Sequence, residues 1–324
     1  MFFLPFRVDL GLHRFPILTL LVSVACLVIF TQQLASFNAV KDSILSYCGT
    51  LSDDSRFALV IRNVSRENGP QGCPGVIYAL FSSEAPEQDI EELAENAARI
   101  EAFSADYSRH YIQEQLGEKF SQFQRQHKVE DLTDKLMYKP DSFNVTNMIT
   151  AAFAHGSWMH VIGNLFFFFA FAASVEIAVG FFAYSLIFIA LAIGTHLSYS
   201  LSLLNVPDAL PTLGLSGVVM GMIGLFAYLM PMVKIRCIWW FLIFFRTVAV
   251  PAWILAAWYV GWDIYNLNHS DDQSNVNFVA HVSGAAIGFL IGVIFFRRRK
   301  AEIKQEIVQQ RESGHLMRAM SKQG

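Results

Sequence analysis

Three groups of polar residues stand in otherwise apolar stretches of the chain: His155, His160 and Asn164; Gly214-Leu215-Ser216-Gly217; and Ala280-His281-Val282-Ser283-Gly284. Between them they hold the parts of an acyl-transfer site. Ser216 offers a hydroxyl nucleophile, and His281 offers an imidazole that can take its proton near neutral pH. His160 and Asn164 are one helical turn apart on a single face, and both carry side-chain donors able to meet the oxyanion formed when a carbonyl is attacked. Gly214 and Gly217 flank the serine and would let a substrate backbone approach it. The Ser216 N–H, near a helix N-terminus, would add a further donor.

Each group alone is a weak signal. Serine is common in membrane helices, where it bonds to the preceding turn, and a lone G-x-S-G in a glycine-rich stretch is more often packing than chemistry. His196 stands isolated and reads as a structural hydrogen-bond partner. Glu176 reads as a cap or brace for a neighbouring loop. What distinguishes the three groups is that each lies at the start of a long apolar run.

Those runs define the elements that must position the chemistry. Hydrophobic residues make up 54% of the 324 and charged residues 16%, with 29 phenylalanines, so lipid is the solvent for most of the chain. A spanning helix needs roughly 20 apolar residues. Six runs qualify, near 15–36, 159–179, 181–204, 213–232, 247–265 and 278–296. Arg7 and Arg14 precede the first; Lys234, Arg236 and Arg246 fall between the fourth and fifth; Arg297, Arg298, Arg299 and Lys300 follow the sixth. Loops 205–212 and 266–277 have neither Lys nor Arg. By the retention of basic residues on the cytoplasmic side, both termini are cytoplasmic, and all three polar groups lie toward the outer face. A cleaved signal peptide is the competing reading of the first run and would leave the other five as they are. Between Lys234 and Arg246, Trp239 and Trp240 suit an interfacial stretch.

Ionisable and strongly polar groups in spans are costly, so helices distant in sequence that deliver complementary groups to one depth point to a site. The glycines bring the fourth and sixth spans together. Gly217 and Gly221 repeat at four residues, as do Gly284, Gly288 and Gly292, giving smooth stripes for close helix contact.

Between the first two spans lies a long outward region whose middle reads as helical. Ile90, Leu93, Ala97, Ile100, Phe103, Tyr107 and Tyr111 recur at helical steps, with Pro86 near the start and Gly117 as a break. This reads as an amphipathic helix pair packing on itself or on the membrane surface, with substrate selection as the functional alternative. Cys48 and Cys73 share this region, and an oxidising compartment would allow them to pair. The triplets at Asn63, Asn144 and Asn268 match the glycosylation pattern and matter only in a secretory host. The division expected is 1–36 (N-terminus and first span), 37–146 (outward, largely helical insertion), 147–297 (core) and 298–324 (cytoplasmic tail).

Other classes fit less well. A net charge of -3 without a concentrated basic face argues against nucleic acid. No C-x-x-C pair and no H-E-x-x-H stand in the chain, which gives no support to a zinc or redox site and argues against a zinc membrane protease. A transporter would place polar groups near midplane in paired halves, and no internal repeat is visible.

In these residues the chain resembles the rhomboid family of intramembrane proteases. His155, His160 and Asn164 follow its H-x-x-x-x-H-x-x-x-N, with Glu176 at the place of a recurrent glutamate; Gly214 to Gly217 follow its G-x-S-G; Ala280, His281, Gly284 and Gly288 follow its A-H-x-x-G-x-x-x-G. The resemblance implies an all-α, polytopic six-helix bundle, here with a long outward-facing first loop region. It implies a Ser216–His281 dyad without an acidic third member, and an oxyanion hole of His160, Asn164 and the Ser216 N–H. Gly214, Gly217, His155, Met220 and Gly284 would support it. Substrates would be transmembrane helices of other proteins, cut near the outer edge of the lipid bilayer, with no metal and no organic cofactor. It also leaves room for a homo-oligomer and for an inactive relative that binds helices without cutting. Met220 stands where the family often has an aromatic residue against the histidine ring, and Thr146-Asn147 replace its Trp-Arg pair. A bacterial cytoplasmic membrane is the location expected.

Overall fold

The computed structural model describes residues 2–8, 15–68, 72–83, 85–97, 99–101, 103–204, 206, 209–241, 244–269 and 276–320. Arg14, Ser270 and parts of loops 205–212 and 266–277 lie outside the described residues. In chain order the elements are β1 (Phe2–Val8), α1 (Ile17–Thr50), α2 (Ser55–Asn68), α3 (Gly72–Phe81), α4 (Pro86–Glu95), α5 (Ala105–Gln126), α6 (Leu132–Leu136), α7 (Val145–Thr150), α8 (Trp158–Val179), α9 (Phe181–Ser202), α10 (Ser216–Leu229), β2 (Lys234–Phe241), β3 (Phe244–Pro251), α11 (Ala252–His269), α12 (Phe278–Phe295) and α13 (Arg297–Met320). The chain divides into two units, Gln32–Leu132 and the remainder, Met1–Thr31 with Thr133–Gly324.

Four helices, α1, α8, α9 and α12, are long and apolar enough to cross a membrane, so the chain is a polytopic helical membrane protein. The other two expected spans fall short of that measure. The run from 247 yields its first residues to β3, leaving α11 with Asp263 inside it. At 14 residues, α10 rises about 21 Å, less than the roughly 30 Å of a hydrocarbon core. Yet α10 is enclosed by protein, buried at Gly217 through Phe226 and packed on α8, α9, α11 and α12. Lipid tolerates irregular helix ends where protein surrounds them.

The expectation of an all-α fold is incomplete. A three-stranded antiparallel sheet of order β1-β2-β3 is added, with β1 paired to β2 and β2 paired to β3. The segment read as interfacial is its central hairpin. Along it Val233, Ile235 and Cys237 are buried while Lys234 and Arg236 are exposed, the two-residue period of a strand with one covered face.

The Gln32–Leu132 unit is built on the second part of α1 with α2 to α5. Tyr47, Phe57, Val60, Ile77, Leu116 and Phe123 lie in its core, and a Cys48–Cys73 disulfide joins α1 to α3 with Cα atoms 5.8 Å apart. The expected helix over 90–111 is broken between α4 and α5, where Ser104 caps α5 by accepting from the Tyr107 N–H at 3.2 Å. Gly117 lies within α5 and does not end it.

In the other unit Glu176 near the end of α8 braces the start of α1. Its carboxylate accepts from the Leu18 N–H at 2.9 Å, the Thr19 N–H at 2.8 Å and the Thr19 hydroxyl at 2.7 Å, satisfying donors that a helix start leaves open. His196 is the structural histidine expected: its Nδ1 donates to the Ala192 carbonyl at 2.7 Å, and its ring meets Tyr138 edge-on. Thr146-Asn147, which stand in place of the Trp-Arg pair, lie in α7, and Asn147 ties that helix to the segment before it. Its Nδ2 donates to the Lys135 and Met137 carbonyls at 2.7 and 3.0 Å.

Candidate active site

Ser216 opens α10, His281 lies one turn into α12, and His160 and Asn164 lie in the first two turns of α8. Each start is set locally. Ser157 caps α8 by accepting from the His160 N–H, and Asn277 caps α12 by accepting from the Ala280 N–H at 2.9 Å. All four side chains line one cavity of about 820 Å³, enclosed by the ends of α8, α10, α11 and α12.

The closeness of α10 and α12 comes from their glycines. A Cβ at Gly284 would overlap the carbonyl oxygen of Gly217, one at Gly288 that of Gly221, and one at Gly224 that of Ala285. At these three positions backbone meets backbone, which no larger residue allows. Gly217 takes part in the helix contact expected of the glycine stripes, and a Cβ on it would meet Thr195 at 3.1 Å.

Gly214 faces the chemistry. Its φ of +125° is one that side-chain-bearing residues rarely adopt, and its N–H is fixed to the Ala151 carbonyl at 2.8 Å. A Cβ there would lie 2.8 Å from His160 Nε2 and 3.6 Å from Asn164 Nδ2. The two nitrogens thus converge on one small volume beside the start of α10. The Gly156 N–H donates to His160 Nδ1 at 3.4 Å, which leaves the ring proton on Nε2 as a donor. Asn164 Nδ2 is buried with no acceptor among the described residues, an uncommon state for a buried amide. His155 is 1% exposed; its Nδ1 donates to the Phe153 carbonyl at 3.2 Å, and its ring stands edge-on to His160 at 5.1 Å. Burial pushes its pKa down to about 4, which favours the neutral ring.

Around His281 the structure departs from expectation. Met220 is buried and lines the cavity wall, and the Phe278 ring stands edge-on to the imidazole at 6.2 Å on α12 itself. An acidic neighbour is present: His281 Nδ1 is 3.1 Å from Asp263 Oδ2 of α11, and both side chains are mostly buried. The dyad expected without an acidic third member therefore has a carboxylate against it. Asp263 escaped notice because it falls near the end of the fifth apolar run, where it reads as loop. The rule that flags ionisable groups within a span would have found it. Among the described residues no hydrogen bond joins Ser216 Oγ to His281.

Residues 142–298 match the family described as Rhomboid domain. Over 168 residues, 49% of this chain, the sequence is 26% identical to Rhomboid-like protein 11, chloroplastic, of Arabidopsis thaliana. The alignment covers 55% of that protein, so the chain spans about half the length of this curated relative.

Proposed function

The chain belongs to the rhomboid family through residues 142–298, and on that premise we propose that it is a serine endopeptidase that cuts transmembrane helices of other proteins. The observation that carries this reading is the convergence of His160 Nε2 and Asn164 Nδ2 on the Gly214 surface, in the cavity that also holds Ser216 and His281. Ser216 Oγ attacks the scissile carbonyl while His281 takes its proton, and the oxyanion is met by the two side-chain donors and the Ser216 N–H. His281 then protonates the leaving amine, and water releases the acyl group from Ser216 by the same steps. The Ser216–His281 bond forms with substrate in place, since catalytic hydrogen bonds are often open in a free site.

Six crossings, with α10 and α11 completed by their flanking segments, put both termini on one side and the cavity toward the other. Residues 37–146 then form an outward insertion, and a Cys48–Cys73 disulfide suits that compartment if it is oxidising. A second reading, a protein that binds helices without cutting them, is favoured by the open Ser216–His281 pair.

Purified full-length protein in detergent, given a model transmembrane substrate, separates the two. Cleavage is expected in the wild type and lost in Ser216→Ala and His281→Ala. Cleavage that survives both substitutions sinks the protease reading, and substrate bound but uncut by the wild type selects the second.

A further inference from the structure

The carboxylate beside His281 asks for a role. Asp263 lies in α11 among Trp262, Tyr259 and Ile264, where an ionised group is costly unless it is partnered. Its place on α11 offers no local relief. It stands more than a turn before the helix end, and the negative end of a helix dipole does not favour an acid. The titratable side chains lining the cavity are His160, Tyr259, Asp263 and His281, with no Lys or Arg among the lining residues. Among the described residues, His281 Nδ1 at 3.1 Å is the partner the structure supplies.

The consequence for His281 is chemical. A carboxylate accepts and cannot donate, so the imidazole proton is held on Nδ1. Nε2 then carries the lone pair, which is what a base serving Ser216 needs. When Nε2 takes the serine proton, the carboxylate at Nδ1 stabilises the resulting cation, both side chains being mostly buried. The carboxylate is held on a seated helix: Tyr259, one turn earlier on α11, packs edge-on against Phe167 of α8 at 5.4 Å.

We propose that Asp263 is a positioning residue for His281, fixing its tautomer and ring orientation so that Ser216 and His281 act as part of a three-residue array spread over α10, α11 and α12. This rests on the protease reading above. It assigns to a side chain of α11 the orienting work that packing alone would otherwise do.

The test uses full-length protein in detergent. In Asp263→Asn, nearly the same shape without the charge, kcat is expected to fall by about 10²–10⁴ while KM stays near wild type. Asp263→Glu, which keeps the charge, recovers part of the rate. A tether that merely joined α11 to α12 would not discriminate between Asn and Glu in this way.

Nitrogen-15 labelled histidine in a Ser216→Ala background gives a readout independent of cleavage. The His281 signal, identified by its loss in His281→Ala, should show the proton on Nδ1, and Asp263→Asn should shift it. Wild-type kcat in Asp263→Asn overturns the proposal, and so does a His281 tautomer signal unmoved by that substitution. If wild-type protein cuts nothing, the protease reading has failed, and the tautomer signal alone decides whether Asp263 orients His281.

Discussion

Gly288 of α12 lies against the carbonyl oxygen of Gly221 on α10, so closely that a Cβ atom would overlap it. The obstacle is backbone and cannot swing aside as a flexible side chain would. Gly288→Ala must therefore part the two helices that carry Ser216 and His281. A loss of about 1–3 kcal/mol is expected from overpacking, together with loss of cleavage. Gly261→Ala on α11 is the control: nothing stands within 4 Å of its Cβ, and alanine suits a helix better by up to about 1 kcal/mol. Thermal unfolding in detergent compares them. Equal midpoints for the two variants would mean that α10 and α12 do not meet backbone to backbone.

Asn164→Ala removes one of two donors that converge beside Gly214. If Asn164 meets the oxyanion, kcat falls by the equivalent of about 2.7–4 kcal/mol with KM little changed. Gly214→Ala should act on the same group from the other side. A methyl 2.8 Å from His160 Nε2 pushes the ring away, and φ of +125° strains the chain. Single-turnover rates for the two variants and their combination check this. Losses that add fully in the double variant would show that the residues do not share one site.

The site was legible in sequence to the extent that its parts are polar residues with no place in lipid. Ser216, His281, His160 and Asn164 stand out for that reason, and the structure gathers them at one cavity. The glycine stripes were equally readable, because helix contact in lipid needs small residues at helical repeats. Asp263 was hidden by the uncertain end of its apolar run, since a carboxylate a few residues further on would be an ordinary loop residue. The sheet was hidden for a different reason. Lys234 to Phe241 contains enough Trp, Ile and Phe to pass for a membrane-surface stretch, and its pairing with Phe2–Val8 joins segments more than 200 residues apart. The break between α4 and α5 was lost because an apolar helical period can run on by chance through a short loop.

The Cys48–Cys73 disulfide closes a 25-residue separation between α1 and α3. Cross-linking a loop of this size stabilises a fold by about 2–4 kcal/mol, chiefly by limiting the unfolded chain. Reduction, or the pair Cys48→Ser with Cys73→Ser, should make residues 32–132 the first part of the protein to open to protease. Limited proteolysis followed by mass mapping reads this directly. Unchanged cleavage sites and rates after reduction would show that the bond carries no stability for this unit.

Asp54 couples the same unit to pH. Its Oδ2 lies 2.8 Å from Lys119 Nζ of α5, and its Oδ1 accepts from the Arg56 and Phe57 N–H groups at the start of α2. Lys119 first, and then the Phe57 N–H, hold its carboxyl below the ordinary aspartate value of 3.8. A lowered value means that the unfolded chain binds the proton more readily, so stability rises with pH in that range. The contribution is complete above the ordinary value and is lost as pH falls through the lower folded value. Hydrogen exchange of α2 amides followed from neutral pH down into this acid range should therefore show protection, corrected for the intrinsic rate, falling more steeply in wild type than in Asp54→Asn. Since Asn keeps the capping oxygen and loses only the charge, parallel curves for the two proteins would remove the Lys119 pairing as the cause.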